Sequence, residues 1–434
     1  MRGPSVPVAR CAAPRLETAL RGPRHPDPGT ARRLLLGVLV SRIAVVGTGI
    51  VGLAVAARLA ERGDEVVVLE KEQAVALHQT GRNSGVIHSG LYYAPGSLKA
   101  KMSRAGAVSM TKFAEENGIE TRRCGKLVVA TNESQVAGLH KLADRAVEHG
   151  IDARLLDTKH AAEFEPHVRA VEALRVESTG TIDYSQVCRA LARSVTEHDG
   201  EVRFGSEVLG ARTSGARVDI ETSRGVVRAD GFVNCAGLFS DRVAAASGLE
   251  PDARIVPFRG EYFELAPHAA DLVRGLIYPV PDPRFPFLGV HLTRMMDGSV
   301  HAGPNAVLAL AREGYHKLDI VPRDILGSLA WPGLWRLGAR NLVPGAHEVF
   351  RSFSRRLFAA SLAELVPEIV RADLIPAPAG VRAQAIRRDG TLVDDFLVQR
   401  SARQVHVLNA PSPAATASLE IARHIVDELD VVLA

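Results

Sequence analysis

A chain of 434 residues exceeds what a single hydrophobic core usually organises, so two or three domains are expected. Its composition, 46% hydrophobic and 24% charged, is that of an ordinary globular protein, and the net charge of +4 arises entirely from the first 41 residues, which hold seven Arg, no Lys and only Glu17 and Asp27. The remaining body is close to neutral, has no clustered basic face, and argues against nucleic acid as a partner.

Four cysteines, Cys11, Cys124, Cys188 and Cys235, form no CxxC pair. Neither a metal site nor a disulfide framework is expected, and reduced thiols in a cytoplasm are the simplest reading. No run reaches the ~18–20 apolar residues of a membrane-spanning helix, and the early stretch Leu34–Val40 is far too short. Residues 1–41, rich in Pro, Arg and Ala, read either as a transit-like segment or as a start placed too early, and are expected to be disordered and dispensable.

From Arg42 the chain reads RIAVVGTGIVGLAVAARLAERGDEVVVLE. Ile43 to Val46 are continuously apolar, as in a parallel strand buried on both faces. Gly47, Gly49 and Gly52 then stand in GxGxxG spacing: a tight turn, an open backbone for a pyrophosphate, and a close helix–strand contact. The spacing predicts a helix from Ile50, its N-terminal N–H groups and positive dipole end aimed at phosphate, and a second strand over Glu65–Leu69. Glu70 follows Gly52 by 18 residues, near the ~20 expected of a carboxylate that binds a ribose hydroxyl. Together these predict a dinucleotide, and an acid at this position argues against NADP.

The second strand runs straight into HQTGRNSGVIHSGLYY, His78 to Tyr93, which has no hydrophobic period. Irregular backbone here suits a long cofactor contacted far from its adenine end, so FAD is expected rather than NAD. Ser206, Glu207 and Val208 read as the end of a strand against the adenine, and Phe232–Gly237 (FVNCAG) as a strand entering a small-residue turn. Near the C-terminus, Val405–Asn409 reads as a strand and a helix is expected from about Pro413–Thr416, with Leu419, Ile421 and Ile425 apolar.

Between these blocks lies different sequence. Arg259–Leu265 alternates as a strand, and the run from Phe287 to Asn305 carries Asp297-Gly298, the signal of a two-residue type I′ hairpin. That turn pairs Met296 with Ser299, Arg294 with His301 and His291 with Pro304, so that His291 and Thr293 share one face and Arg294 takes the other. Residues 306–364 read as mostly helical; Trp331, Trp335 and the basic run HEVFRSFSRRLF suggest either a core helix or a membrane or partner contact.

With HQTGRNSGVIHSGLYYAPGSLKA, VPFRGEYFEL, PFLGVHLTR, AGVRAQA and NAPSPAATA in view, the chain from Arg42 onward resembles L-2-hydroxyglutarate oxidases and dehydrogenases. These are FAD enzymes of the D-amino-acid-oxidase-like superfamily. The resemblance implies an α/β (α+β overall) fold: a Rossmann-like FAD-binding domain with an inserted antiparallel-sheet substrate domain, as in glutathione-reductase and D-amino-acid-oxidase-like folds. It places the FAD domain at 42–119, 172–250 and 365–434, and the substrate domain at 120–171 and 251–364. It also implies oxidation of (S)-2-hydroxyglutarate to 2-oxoglutarate with hydride passing to flavin N5, electrons leaving to oxygen or a quinone, and a cytoplasmic protein that touches a membrane peripherally.

The cofactor contacts it implies are Gly47, Gly49, Ile50, Val51, Gly52, Glu70, Lys71, Thr80, Gly81, Arg82, Asn83, Ser84, Val208, Ala236, Gly237, Gly380, Ser412, Pro413 and Ala414, with FAD held non-covalently. A dicarboxylate substrate needs fixed cations, and the resemblance offers Arg259, Arg382 and Arg294, with Lys101 and Arg82 behind them and Tyr278 and Asn305 as hydrogen-bond donors. Loss of the hydroxyl proton needs a base, for which His291 and His88 compete. Rival readings are a related flavin oxidase acting on glycerol 3-phosphate, an amino acid or a secondary amine, and a non-catalytic flavin-binding scaffold.

Overall fold

Both apolar runs at the start of the body become strands of one sheet in the computed structural model, which describes residues 40–282, 289–340 and 354–434. The strand Arg42–Val46 pairs in parallel with Glu65–Leu69 on one side and Gly231–Asn234 on the other. Among the described residues the sheet has six strands, ordered Leu397–Ser401, Gln404–Asn409, Gly231–Asn234, Arg42–Val46, Glu65–Leu69 and Glu201–Arg203. The absence of a polar face follows from its double cover. Ile43, Val45, Val66 and Val68 pack against helices Ile50–Arg62, Tyr184–Glu197 and Ala414–Leu433. Ala44, Val46, Val67 and Leu69 pack against a three-stranded antiparallel sheet, Val208–Ser214, Arg217–Thr222 and Gly225–Ala229. Alternation along the same strands feeds two cores.

The second sheet has nine strands among the described residues. Eight run in the order Val307–Leu308, Ala253–Leu265, Val300–Gly303, His291–Arg294, Leu276–Pro279, Lys126–Ala130, Glu172–Val176 and Ala153–Asp157, and Leu374–Arg387 pairs with Ala253–Leu265. All pairings are antiparallel except that of Leu276–Pro279 with Lys126–Ala130. Leu127, Val129, Ile277 and Leu292 face a core completed by Phe358 and Leu362 of helix Arg355–Ala363. By alternation Lys126, Val128, Tyr278, His291 and Thr293 look the other way.

Several expectations change. The hairpin after His291 has three residues in its loop rather than two: His291 pairs with Gly303 and Arg294 with Val300, and Met295 N–H donates to Ser299 O at 2.8 Å. A type I′ turn needs positive φ at both Asp297 and Gly298, and only Gly298 has it, at φ 85°. Asp297 instead accepts from the Ser299 amide at 3.0 Å, which favours the longer loop. The face assignment survives, because a one-residue change in partner leaves the parity of His291, Thr293 and Arg294 untouched. Val208 begins a strand rather than ending one. Strands Glu172–Val176 and Leu374–Arg387 belong to the larger sheet, although the sequence reading gives their ranges to the nucleotide domain.

Residues 306–364 are helical only at Pro322–Leu329, Pro332–Arg340 and Arg355–Ala363 among the described residues. Trp331 is core, 6% exposed, whereas Trp335 is 62% exposed. The first seven residues of the basic run, 347–353, lie outside the described residues, as do 1–39 and the start of the hairpin segment at 287–288. No helix among the described residues is long and apolar enough to cross a membrane.

One buried ion cluster ties the turn after Gly231–Asn234 to the segment beyond the hairpin. Both terminal nitrogens of Arg312 pair with the Asp241 carboxylate, the Arg312 amide donates to Asp324 at 2.7 Å, and Arg242 pairs with Asp324. Arg312 and Asp241 are 4% and 5% exposed, so removal of one partner strands the other charge away from water. Asp241→Ala is expected to lower the free energy of unfolding by about 3–5 kcal/mol in urea titrations, and the double change to Asp241→Leu with Arg312→Met to recover much of that loss.

Candidate active site

The glycine turn is built by close backbone contacts. Gly47, at φ +97°, sits where a Cβ would lie 2.7 Å from the Cys235 carbonyl, and a Cβ on Gly52 would lie 2.1 Å from the Gly47 carbonyl. Gly49 is different: the nearest atom to its Cβ position is Thr80 Oγ1, at 3.5 Å, and its surface opens onto a cavity. The first amide of helix Ile50–Arg62 donates to Thr80 Oγ1 at 3.1 Å, the kind of acceptor an exposed helix N-terminus requires. Glu70 braces this turn, taking the Thr48 amide and hydroxyl on one oxygen, each at 2.7 Å, and the Glu72 amide on the other.

The stretch His78–Tyr93 is held on several sides. Asn83 bonds its own loop, donating to Thr80 O at 2.7 Å and accepting from the Gly85 amide at 2.8 Å. Strand Leu374–Arg387 passes so close that a Cβ on Gly380 would lie 2.5 Å from Arg82 O. Thr416, in the first turn of helix Ala414–Leu433, places its hydroxyl 3.1 Å from the His88 amide, 3.2 Å from Val86 O and 2.9 Å from the Tyr184 hydroxyl. At the other end His78 Nδ1 meets the Tyr315 hydroxyl at 2.8 Å, the Arg82 guanidinium covers the Tyr315 ring, and Lys71 pairs with both Glu72 and Glu313. Lys71 therefore supplies the positive charge amid the Glu72, His78 and Glu313 ligand atoms.

A cavity of about 640 Å³ runs from Gly49, Ile50, Val51 and Gly52 past Thr80, Arg82, Asn83, Ser84, Gly237 and Gly380 to the start of the last helix at Ser412, Pro413 and Ala414. Its far wall is the larger sheet, with Tyr278, His291 and Arg382, and His88 comes from the loop. The rings of Tyr278 and His291 stack at 4.0 Å between centroids. His291 Nδ1 lies 3.0 Å from Gly289 O, which must accept a proton from it, so Nε2 carries the lone pair. Burial pulls the His291 pKa down to about 4, with Arg382 and Lys126 adding to burial and the Gly289 bond opposing it. His88 is pulled to about 3 by burial, then by Lys126, His291 and Lys99. Its residual exposure is toward the cavity it lines.

Other expected substrate residues lie elsewhere. Strand parity turns Arg259 away from the cavity that Gly260 and Tyr262 line; its guanidinium pairs with Glu261 at 3.1 Å and donates to His316 O. Asn305 clasps the same Glu261 through the side-chain amide and its carbonyl. Arg294 donates to the carbonyls of Ala270 and Val273 on the opposite sheet face. Of the expected cofactor residues, Gly47, Glu70, Lys71, Gly81, Val208 and Ala236 do not line this cavity. Sequence reasoning missed Tyr92, Tyr93, Lys99 and Tyr262, which line the cavity, and Lys126 behind it. The paired tyrosines closing the aperiodic loop were a usable signal, whereas a lysine opening the strand KLVVA looks like any strand-end lysine.

Residues 42–428 match the family model described as FAD dependent oxidoreductase, DAO. The chain belongs to that family. It is 46% identical over 384 residues to the L-2-hydroxyglutarate dehydrogenase of Indibacter alkaliphilus, covering 88% of this chain and 96% of the relative. It is 43% identical to the mitochondrial L-2-hydroxyglutarate dehydrogenase of Homo sapiens, covering 89% and 88%. The fold matches that of L-alpha-glycerophosphate oxidase from Mycoplasma pneumoniae with FAD bound, at a TM-score of 0.75 and 21% identity over 91% of this chain and 95% of that one.

FAD is thus the cofactor of this oxidoreductase, and the cavity fits it. Gly49 leaves backbone open beside a helix N-terminus for the pyrophosphate, and small residues at Gly237, Gly380 and Ser412–Ala414 leave room along the slot. The contact at Gly52 makes a sharp test. Gly52→Ala forces the Gly47 carbonyl to move, and the purified variant is expected to carry several-fold less flavin, measured by the ratio of absorbance at about 450 nm to that at about 280 nm.

Proposed function

We propose that this chain oxidises L-2-hydroxyglutarate to 2-oxoglutarate. The observation that supports it most directly is a buried, neutral imidazole, His291, whose Nδ1 is committed to Gly289 and whose ring lines the cavity beside Arg382. Bound FAD supplies the two-electron acceptor for the hydrogen leaving C2. The chain's own residues do the rest. Arg382 pairs with the carboxylate next to C2, Tyr278 holds the imidazole by stacking, and Nε2 of His291 takes the proton as the hydroxyl O–H bond breaks. His88, from the loop, is the second candidate for that proton.

The FAD-binding role belongs to the wall formed by Gly49–Gly52, Thr80, Arg82, Asn83, Ser84, Gly237, Gly380 and Ser412–Ala414, and the N-terminus of helix Ala414–Leu433 would offer its positive dipole end to negative charge on the bound flavin. The electrons go on to oxygen or a quinone. An exposed apolar stretch at Leu318, Ile320, Val321, Leu326, Leu329 and Trp335 suits a peripheral membrane contact for the second acceptor.

Reduction of the purified yellow protein by each 2-hydroxyglutarate enantiomer, without oxygen, tests the reading. Bleaching by the (S) enantiomer is expected, with glutamate, sarcosine and glycerol 3-phosphate inert; bleaching by one of these alone would overturn it. His291→Asn is expected to lower kcat by about 10²–10⁴-fold with flavin content unchanged, which separates loss of the base from loss of cofactor. Because the imidazole of the free protein stays neutral down to about pH 4, the acid limb of kcat/KM that belongs to this base is expected near that value rather than near the 6.5 of an ordinary histidine.

A further inference from the structure

Lys126 opens the strand Lys126–Ala130 and is 1% exposed. Its ammonium lies 4.3 Å from the centre of the Tyr92 ring and 5.1 Å from that of Tyr278, and among the described residues no ion pair or hydrogen bond reaches it. An ammonium in such a place is held by aromatic faces alone, which offset only part of its lost hydration. Burial accordingly pulls its pKa from 10.5 to about 7.

Its surroundings share a bias. Val128 pairs with Tyr278, so alternation puts Lys126, Tyr278 and His291 on one sheet face. The titratable groups around them are Tyr92, Tyr93, His88 and Lys99 from the loop and helix beyond it, Tyr262, Cys124, His291 and Arg382. None is a carboxylate, and the opposing strand and helix present Val176, Leu139 and Leu142. The Tyr92 hydroxyl, on a residue that lines the cavity, is buried without a hydrogen-bond partner. Lys126, which no carboxylate answers among the described residues, and the unanswered Tyr92 donor form a receptor for an anion; the neighbouring Lys99 is answered by Asp394 and Asp395.

We propose that Tyr92, with the Lys126 ammonium beneath its ring, receives the second carboxylate of the substrate, the one remote from the reacting carbon. This rests on the dicarboxylate reading above and assigns Lys126 as a positioning residue that acts through Tyr92. A cation against the ring face draws electron density from the phenol and makes its O–H a stronger donor to the carboxylate. The arrangement selects dicarboxylates over 2-hydroxy acids whose far end is apolar.

The linkage has a definite sign. Below about pH 7 Lys126 is charged and the anion site is ready; above it the lysine is neutral, and a dicarboxylate must bring a proton with it. His88 and His291, at about 3 and 4, do not titrate in that range, and burial pushes the surrounding tyrosines and Cys124 upward, out of it.

Binding of glutarate and of butyrate to the flavin-loaded protein, followed by perturbation of the flavin absorbance from pH 6 to 9, tests the proposal without turnover. The wild-type protein is expected to prefer glutarate and to bind it more weakly as pH rises through about 7, with butyrate lacking that dependence. Lys126→Met is expected to weaken glutarate by about tenfold or more and abolish the dependence, leaving butyrate unchanged. Tyr92→Phe is expected to weaken glutarate while keeping the flavin, and serves alone where Lys126→Met does not accumulate. Retention of glutarate preference in either loaded variant overturns the proposal. If the wild-type protein is not bleached by (S)-2-hydroxyglutarate, the reading beneath it has failed instead.

Discussion

A site that grips a pyrophosphate at one end and oxidises a carbon at the other requires two differently built sheets to face one another across a fixed gap. The loop from His78 to Tyr93 maintains that gap, and contact distances of backbone on backbone hold the loop. Gly380 lets the long strand of the larger sheet lie against Arg82 O, and Gly106 lets helix Leu98–Glu116 cross the final helix where a Cβ would come within 2.6 Å of Thr416 O. The Thr416 hydroxyl then fastens the start of that final helix to Val86, His88 and Tyr184. Such contacts admit little adjustment, since interiors are packed near crystal density. His88 is thereby positioned by three elements distant in sequence, and its relation to His291 is set by the backbone before any ligand enters.

The second organising factor is dehydration. Carboxylates are abundant elsewhere in the chain and are placed where a cation or amide answers them: Asp241 against Arg312, Glu261 against Arg259 and Asn305, Glu70 against Thr48 and Glu72. Near the sheet end of the cavity the pattern reverses. Histidines are kept neutral by burial and by nearby positive charge, as a proton acceptor requires. In the proposed site the same charge that keeps the imidazoles neutral also receives the anion, so that reading draws base strength and substrate recognition from one arrangement rather than two.

How much of this could be read from the sequence depends on the range of the interaction. The glycine turn, both central strands and the last helix are local patterns, and each forms where its period and spacing place it. Strand parity set His291 and Arg294 on opposite faces, and that survived an error in the hairpin partner because parity is insensitive to it. Arg259 failed for the complementary reason: in a strand whose pairing shifts between Gly260 and Tyr262, residue type suggested a role that parity denied. Asn305 and Arg294 were drawn away by partners far off in sequence, Glu261 and the carbonyls of 270 and 273. Lys126 was illegible because its distinction lies wholly in what surrounds it, and a lysine at a strand end carries no mark of whether its ammonium reaches water.

The two cations assigned to the substrate differ in a way that matters to the chemistry. Arg382 keeps its charge at any relevant pH and offers a planar fork, suited to holding one carboxylate in a fixed orientation beside the reacting carbon. Lys126 is a compact ammonium under an aromatic ring and can surrender its proton. A second permanently charged group beneath the Tyr92 ring would have to be buried in every state, where Lys126 has no carboxylate to answer it among the described residues. A lysine instead is neutral in the vacant pocket when protons are scarce and becomes charged when the anion arrives. In the proposed assignment the orientation of the reacting carbon rests on Arg382, and discrimination at the far end on the group that can give up its proton, Lys126.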